Sequence, residues 1–285
     1  MIALACLLAL GPAIGAGPVA SLGGPDSTAV PIELLDGDRP VVSVTLNGRG
    51  PYRLAVETGS PDVLLTPQVV DSLRLPPART SEPDSLFRLD SLRIGDIVVG
   101  ALSVGQDRAF ARLGVDGVLG LDAYAGLLLT IDYPAAQLIL SKGTLPAPDG
   151  REVLQAVRVG PFMGVSVDAG GTQEIGVIDT QGGMLFQAVP EAADRMKFAA
   201  PPRVVGRAIV GGGAPVEVKE ARLAGDLKIG RHVFHQPTIA VHPLPPDIPS
   251  RMTIGTQALR HFRLTIDQRS MRVRLARADT TAIVD

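Results

Sequence analysis

The chain has 285 residues, which at roughly 150 residues per domain suggests about two domains. It is 46% hydrophobic and 20% charged, too apolar for a disordered chain, and its 32 Gly and 24 Pro follow no period, which excludes collagen and favours short strands joined by turns. A formal charge of −2 and 4% aromatics provide neither the basic field nor the stacking platform of a nucleic-acid binder, and the single cysteine, Cys6, excludes an internal disulfide framework and a cysteine-based zinc site.

Residues 1–10 form an unbroken apolar run that meets Gly11-Pro12 and small residues up to Ala20. This is too short for a membrane-spanning helix, which needs about 20 apolar residues, and it matches the apolar region of a secretory leader without a basic start. Residues 1–22 are therefore expected to be a leader that exports the chain to the periplasm or the extracellular space. No later segment reads as transmembrane.

Residues 41–46 alternate as a strand, turn at Asn47-Gly48, and return as a strand over 52–56, a hairpin signature. Residues 66–73 read as a short helix, and 94–104 as a hairpin broken at Gly100. Residues 127–132 and 137–140 flank Tyr133-Pro134 as another hairpin. A linker is expected at 146–150, separating residues 23–146 from 147–285. The second half repeats the pattern, with strands over 164–167, 175–178, 227–241 and 263–275 and short helices over 190–197 and 256–261. Few long helical patterns occur, so the expected fold class is all-β with a few short helices.

The halves are copies. Leu92-Arg-Ile-Gly95 recurs as Leu227-Lys-Ile-Gly230, and Gly120 with Leu129-Thr-Ile-Asp132 recurs as Gly255 with Leu264-Thr-Ile-Asp267. Both pairs are separated by 135 residues (92 to 227, 120 to 255). In each copy the first hairpin ends on an acid followed by Thr: Leu54-Ala-Val-Glu57-Thr58-Gly59-Ser60 in one and Gly176-Val-Ile-Asp179-Thr180-Gln181-Gly182 in the other. Downstream come Val118-Leu-Gly120 and Thr253-Ile-Gly255.

These motifs resemble those of the retropepsin- and pepsin-like aspartic peptidases, in particular bacterial aspartyl proteases with two such lobes on one chain. The resemblance covers residues 38 to 276. It implies two β lobes related by a pseudo-twofold axis, with a cleft between them where Glu57 and Asp179 meet. It further implies endopeptidase activity on an extended peptide or protein substrate. Two carboxyls so placed share one proton, and the ionised member activates a water while the other protonates the carbonyl oxygen. By the same resemblance Thr58 and Thr180 cross-link the two loops, Ser60 orients Glu57, and Gly59, Gln181 and Gly182 complete the loops beneath the cleft with Gly120 and Gly255 in support. No metal or other cofactor is implied, and a monomer is expected.

Two positions differ from the family pattern. Glu57 is longer than Asp by one C–C bond of about 1.5 Å. Gln181 stands where the family has Gly, and a Gly-like backbone there would cost roughly 1–3 kcal/mol. A catalytically inactive protein that binds extended peptides in the same cleft is therefore the alternative reading. Gly211, Gly212 and Gly213 interrupt strand-like residues 203–210 and 215–219, and this hairpin is expected to be the dominant flap. The corresponding first-half stretch, residues 76–88, reads as a loop. Asp132 and Asp267 are expected to serve in turns, and His232 and His235 to face opposite sides of a strand.

Overall fold

The computed structural model describes residues 5–6, 22–78, 86–210, 214–244 and 249–284. Apart from residues 5–6 and 22, the expected leader lies outside them, as do the three glycines of the expected flap tip.

Each half is built from a hairpin that delivers its acid. Arg39–Leu46 and Arg49–Val56 pair antiparallel around Asn47 (φ 48°) and Gly48 (φ 74°), the left-handed pair that two-residue hairpin turns require. The second strand leads directly into Glu57. Its end, Leu54 to Val56, pairs in parallel with Gly117–Leu119, which pairs antiparallel with Val63–Leu65 on its other side. The second half does the same: Thr172–Ile178 leads into Asp179 and pairs in parallel with Met252–Ile254, itself antiparallel to Phe186–Ala188. The residue after each acid-bearing strand thus emerges at the centre of a sheet, flanked by backbone that cannot shift without breaking a ladder.

A six-stranded antiparallel sheet joins the halves. Its order is Val153–Gln155, Arg272–Ala276, Arg263–Asp267, Leu128–Asp132, Gln137–Ser141 and Ser27–Leu35. The two central strands are the repeated Leu-Thr-Ile-Asp segments, and Thr130 lies directly opposite Thr265. Leu129, Ile131, Leu264 and Ile266 are all buried in one apolar core that also takes in Leu54 from the first half and Phe186 from the second. The chain is mostly strand and two-lobed, as the sequence implies.

The short helices form at Pro67–Leu73, Pro190–Ala193 and Thr256–Leu259. Proline in the first turn of the first two suits a position whose N–H has no intrahelical partner. Two 3₁₀ segments, Arg108–Leu113 and Leu121–Tyr124, carry no clear sequence signal. The hairpin expected over 94–104 turns instead at Gly95-Asp96, between Leu92–Ile94 and Ile97–Val99. Gly95 takes φ +56°, and a Cβ there would lie 2.4 Å from Thr28 Oγ1, so this glycine and not Gly100 makes the tight turn. Leu102–Gln106 belongs to a different ladder, with Val63–Leu65 and Phe87–Leu89. Likewise the single strand expected over 227–241 is three, Leu227–Ile229, His232–Phe234 and Thr238–Val241. His232 is buried against the Leu275 carbonyl, whereas His235 pairs with Asp226 on the surface.

The repeat spacing changes along the chain. Thr58 and Thr180 are 122 residues apart, but Thr130 and Thr265 are 135 apart, so the second half holds 13 more residues before its later motifs. They fall where the long hairpin Arg203–Val210 and Pro215–Arg222 stands. Its first-half counterpart is not the simple loop expected: Ala78 N donates to Leu86 O and Arg88 N to Pro76 O, an antiparallel stem.

Candidate active site

Glu57 and Asp179, on adjacent loops of the two halves, are buried at 4% and 3% exposure. Their backbones are held identically: Glu57 N donates to Leu119 O at 2.9 Å and Asp179 N to Ile254 O at 3.0 Å. Behind them Gly120 and Gly255 permit close passage of chain. A Cβ on Gly120 would lie 2.2 Å from Asp62 O, and one on Gly255 would lie 2.0 Å from Met184 O. Both glycines have φ outside the left-handed region, so absence of a side chain is what these positions need.

The two threonines tie the loops together. Thr58 Oγ1 donates to Ile178 O (2.8 Å) and accepts from Thr180 N (3.2 Å). Thr180 Oγ1 donates to Val56 O (2.7 Å) and accepts from Thr58 N (3.0 Å). All four bonds cross between halves and are buried, where losing a partner costs more than the bond contributes in water.

The two carboxyls lie close enough to bear on each other's protonation. A single point, the Cβ position on Gly59, lies 2.8 Å from Glu57 Oε1 and 3.1 Å from Asp179 Oδ1, so these two oxygens are close. Burial, reinforced by the adjacent Asp179 charge, pushes Glu57 well above the usual carboxylate range. Burial also raises Asp179, but the N–H groups of Gln181 and Gly182 and the Arg39 guanidinium oppose the rise. Asp179 Oδ1 accepts two backbone bonds, from Gln181 N (2.9 Å) and Gly182 N (2.7 Å), whereas Glu57 Oε1 accepts one, from Gly59 N (2.7 Å). More donors stabilise the anion more. Asp179 is therefore the better-stabilised anion of the pair.

The longer acid is accommodated locally. Glu57 folds back onto the N–H two residues on, the bond Asp179 makes with Gln181 N. Gly59 leaves the space that Oε1 occupies. Gln181 is under no backbone strain, because its φ is not positive, contrary to the cost anticipated for a glycine position. Its side chain turns away from the acids and Nε2 donates to Val56 O at 3.0 Å and Pro40 O at 3.4 Å, adding bonds between halves. Ser60 Oγ accepts the N–H of Asp62 at 3.2 Å, closing a local turn, and among the described residues no hydrogen bond joins it to Glu57. In the second half Gly182 is required at the equivalent place, since a Cβ would lie 2.7 Å from Asp179 Oδ2.

Three residues near the acids carried no sequence signal as site residues. Arg39 opens the strand leading to the first hairpin and bears electrostatically on both carboxyls. Tyr133 is buried, its hydroxyl unpartnered, and burial followed by the charges of Asp179, Asp38 and Glu57 raises its pKa. Asp62 is buried behind Gly120, its Oδ1 unpartnered. Burial and then the Asp122 charge push it up to about 6. Asp132 and Asp267 serve as turn residues, accepting Ala135 N and Ser270 N respectively. Among the described residues no cluster of His, Cys, Asp and Glu is arranged to hold a metal ion.

Comparison with known proteins bears on the fold. Residues 42–123 match the family model described as aspartyl protease. Comparison with curated proteins gives no match. Among solved structures the chain is similar to the aspartic proteinase from Irpex lacteus, with a TM-score of 0.55 at 16% identity over 90% of this chain and 99% of that one. The fold is that of the pepsin- and retropepsin-like aspartic peptidases.

Proposed function

We propose that this chain, built on the aspartic-peptidase fold, is an endopeptidase that hydrolyses peptide bonds with water activated between Glu57 and Asp179. The observation that carries the reading is the buried, facing pair of carboxyls whose loops are held by reciprocal threonine bonds from the two halves. In this reading residues 23–146 and 147–285 are the lobes, each contributing one carboxyl. Neither lobe is competent alone.

Asp179, the charged member, takes a proton from a water lying between the acids as that water attacks the peptide carbonyl carbon. Glu57 gives its proton to the carbonyl oxygen as charge develops there. The tetrahedral species then collapses with proton transfer to the leaving nitrogen. The substrate is an extended peptide or an extended segment of a protein. The hairpin Arg203–Val210 and Pro215–Arg222, longer than its first-half counterpart, acts as the flap. The chain is exported after removal of the leader and works as a monomer. No helix of the described residues is long and apolar enough to cross a membrane.

The test is cleavage of a mixed peptide library between pH 3 and 7 by wild type, Asp179→Asn and Glu57→Gln. Acid-dependent cleavage absent from both variants supports the mechanism. Wild-type protein that binds peptides but leaves them intact across the range refutes it and identifies an inactive peptide binder.

A further inference from the structure

Arg39 is a cation at the candidate site that no carboxylate among the described residues engages in an ion pair. It sits half-buried at the head of the strand Arg39–Leu46, just after the tight turn at Gly37 and Asp38, which have φ of 77° and 61°. Its Nε is fully buried and makes no hydrogen bond. Among the described residues no ion pair engages its guanidinium, and the neighbouring Asp38 is committed to Arg260 at 3.1 Å. The guanidinium lies across the loop that carries Asp179: a Cβ on Gly183 would be 3.0 Å from one terminal nitrogen and 3.5 Å from Nε. A side chain at residue 183 would press on the guanidinium, and the glycine there leaves that side of Arg39 open. The loop is fixed in that position, since Thr256 Oγ1 bonds both Gly37 O and Gly182 O and Gln181 Nε2 reaches Pro40 O.

A desolvated guanidinium nitrogen without an acceptor is costly unless something supplies one. The dyad offers a compensating field, as Arg39 lowers the proton affinity of both carboxyls, but neither accepts a hydrogen bond from it. Arginine's planar fork matches a carboxylate in two-point contact. We propose that Arg39 is the carboxylate receptor of the cleft, so that the substrate is a peptide bearing a carboxylate, from an acidic side chain or its own C-terminus, beside the bond at the dyad. This rests on the peptide-cleft reading above and deepens it by naming the substrate class.

The experiment uses matched peptides carrying Glu, or Gln in its place, each with a free or amidated C-terminus. They are assayed with wild type, Arg39→Gln and Arg39→Lys at pH 5 to 6, where peptide carboxylates are ionised. The readout is the ratio of kcat/KM for acid over amide, which isolates recognition from effects on the dyad. Wild type is expected to favour one carboxylate by about tenfold or more, Arg39→Lys less, and Arg39→Gln not at all. Dependence on Glu against Gln identifies a side chain, and dependence on amidation identifies the terminus. A ratio near one in wild type overturns the proposal. So does a ratio unchanged in Arg39→Gln, even if its pH profile moves, because Arg39 then acts on the dyad alone. If wild type cleaves nothing, the endopeptidase reading fails, and the same ratio is read from peptide Kd. A preference for acid lost in Arg39→Gln supports the receptor, and equal Kd values, or no binding by any peptide, overturn it.

Discussion

Thr130 and Thr265 meet face to face across the sheet that joins the halves, their hydroxyls 2.9 Å apart and buried. They are the same residue of the repeated Leu-Thr-Ile-Asp segment, so the pseudo-twofold axis passes between them. Valine has nearly the shape of threonine. Either Thr130→Val or Thr265→Val alone strands a buried hydroxyl and should cost about 1–3 kcal/mol, whereas the double variant should cost less than the sum. A urea-unfolding double-mutant cycle measures the coupling. Strict additivity would show that the contact does not hold the seam.

Thr58 and Thr180 carry a heavier load, since each hydroxyl makes two buried bonds between the halves. Thr180→Val should destabilise by roughly 2–4 kcal/mol and lower cleavage well beyond what the stability loss explains, because the acids lose their mutual placement. Thr180→Ser, which keeps the hydroxyl, should recover most of both. Thermal unfolding together with peptide turnover reads the two effects; a serine variant no better than valine would contradict this account.

Gly120→Ala and Gly255→Ala each drive a methyl into a backbone carbonyl, at 2.2 Å and 2.0 Å before any shift. A loss of roughly 3 kcal/mol or more is expected, with weaker peptide binding as the acid loops move. Gly206→Ala, in the long hairpin with nothing within 4 Å, is the control and should stay within about 0.5 kcal/mol of wild type. Similar losses in all three by chemical denaturation would refute the close-approach argument.

Asp62 gives a pH dependence of definite sign. Its pKa in the folded protein is about 6, above the ordinary 3.8, so the native state binds its proton more tightly than the unfolded chain does. Its contribution to stability is full below about pH 4 and is lost as pH rises through 6. Asp62→Asn should therefore stabilise the protein at pH 7 relative to pH 4, by on the order of 2 kcal/mol after allowing for partial solvent screening. Urea midpoints of both proteins across this range test it. Parallel curves would mean that Asp62 does not titrate as described.

Gln181→Gly tests the second departure from the family pattern. Because Gln181 has an ordinary backbone and its amide bonds Val56 O and Pro40 O, glycine should cost about 1 kcal/mol instead of relieving strain. A more stable glycine variant would restore the strain argument.

The parts legible in the sequence were those written in local chemistry or in repetition. Asn47-Gly48 between alternating strands specifies a hairpin because few other dipeptides take two left-handed conformations. The acid-Thr loops were legible because they occur twice, with Gly120 and Gly255 following in the same order. What sequence missed was decided by neighbours distant in the chain. Gly95 and Gly100 look alike as letters, and the left-handed turn at Gly95 with Thr28 and Val30 packed against it distinguishes them. Ser60 Oγ takes up the N–H of Asp62, a contact set by the local turn and invisible to a motif. Gln181 looked strained because glycine has two uses, a left-handed backbone and the lack of a side chain, and the letter does not say which one is needed. Arg39 became conspicuous only when Gly183 was found opposite it.

A twofold-symmetric cleft cannot distinguish the two directions in which a peptide may thread it. This chain can. With Asp179 the better-stabilised anion, Arg39 beside its loop and, among the described residues, the longer hairpin on the second half, the two orientations of a chain bound there would be inequivalent. In the proposed reaction the scissile carbonyl would then have one face toward the donor and one polarity along the groove. Gene duplication would supply two equal halves, and the departures from equality are what give the site a sense of N-terminal and C-terminal.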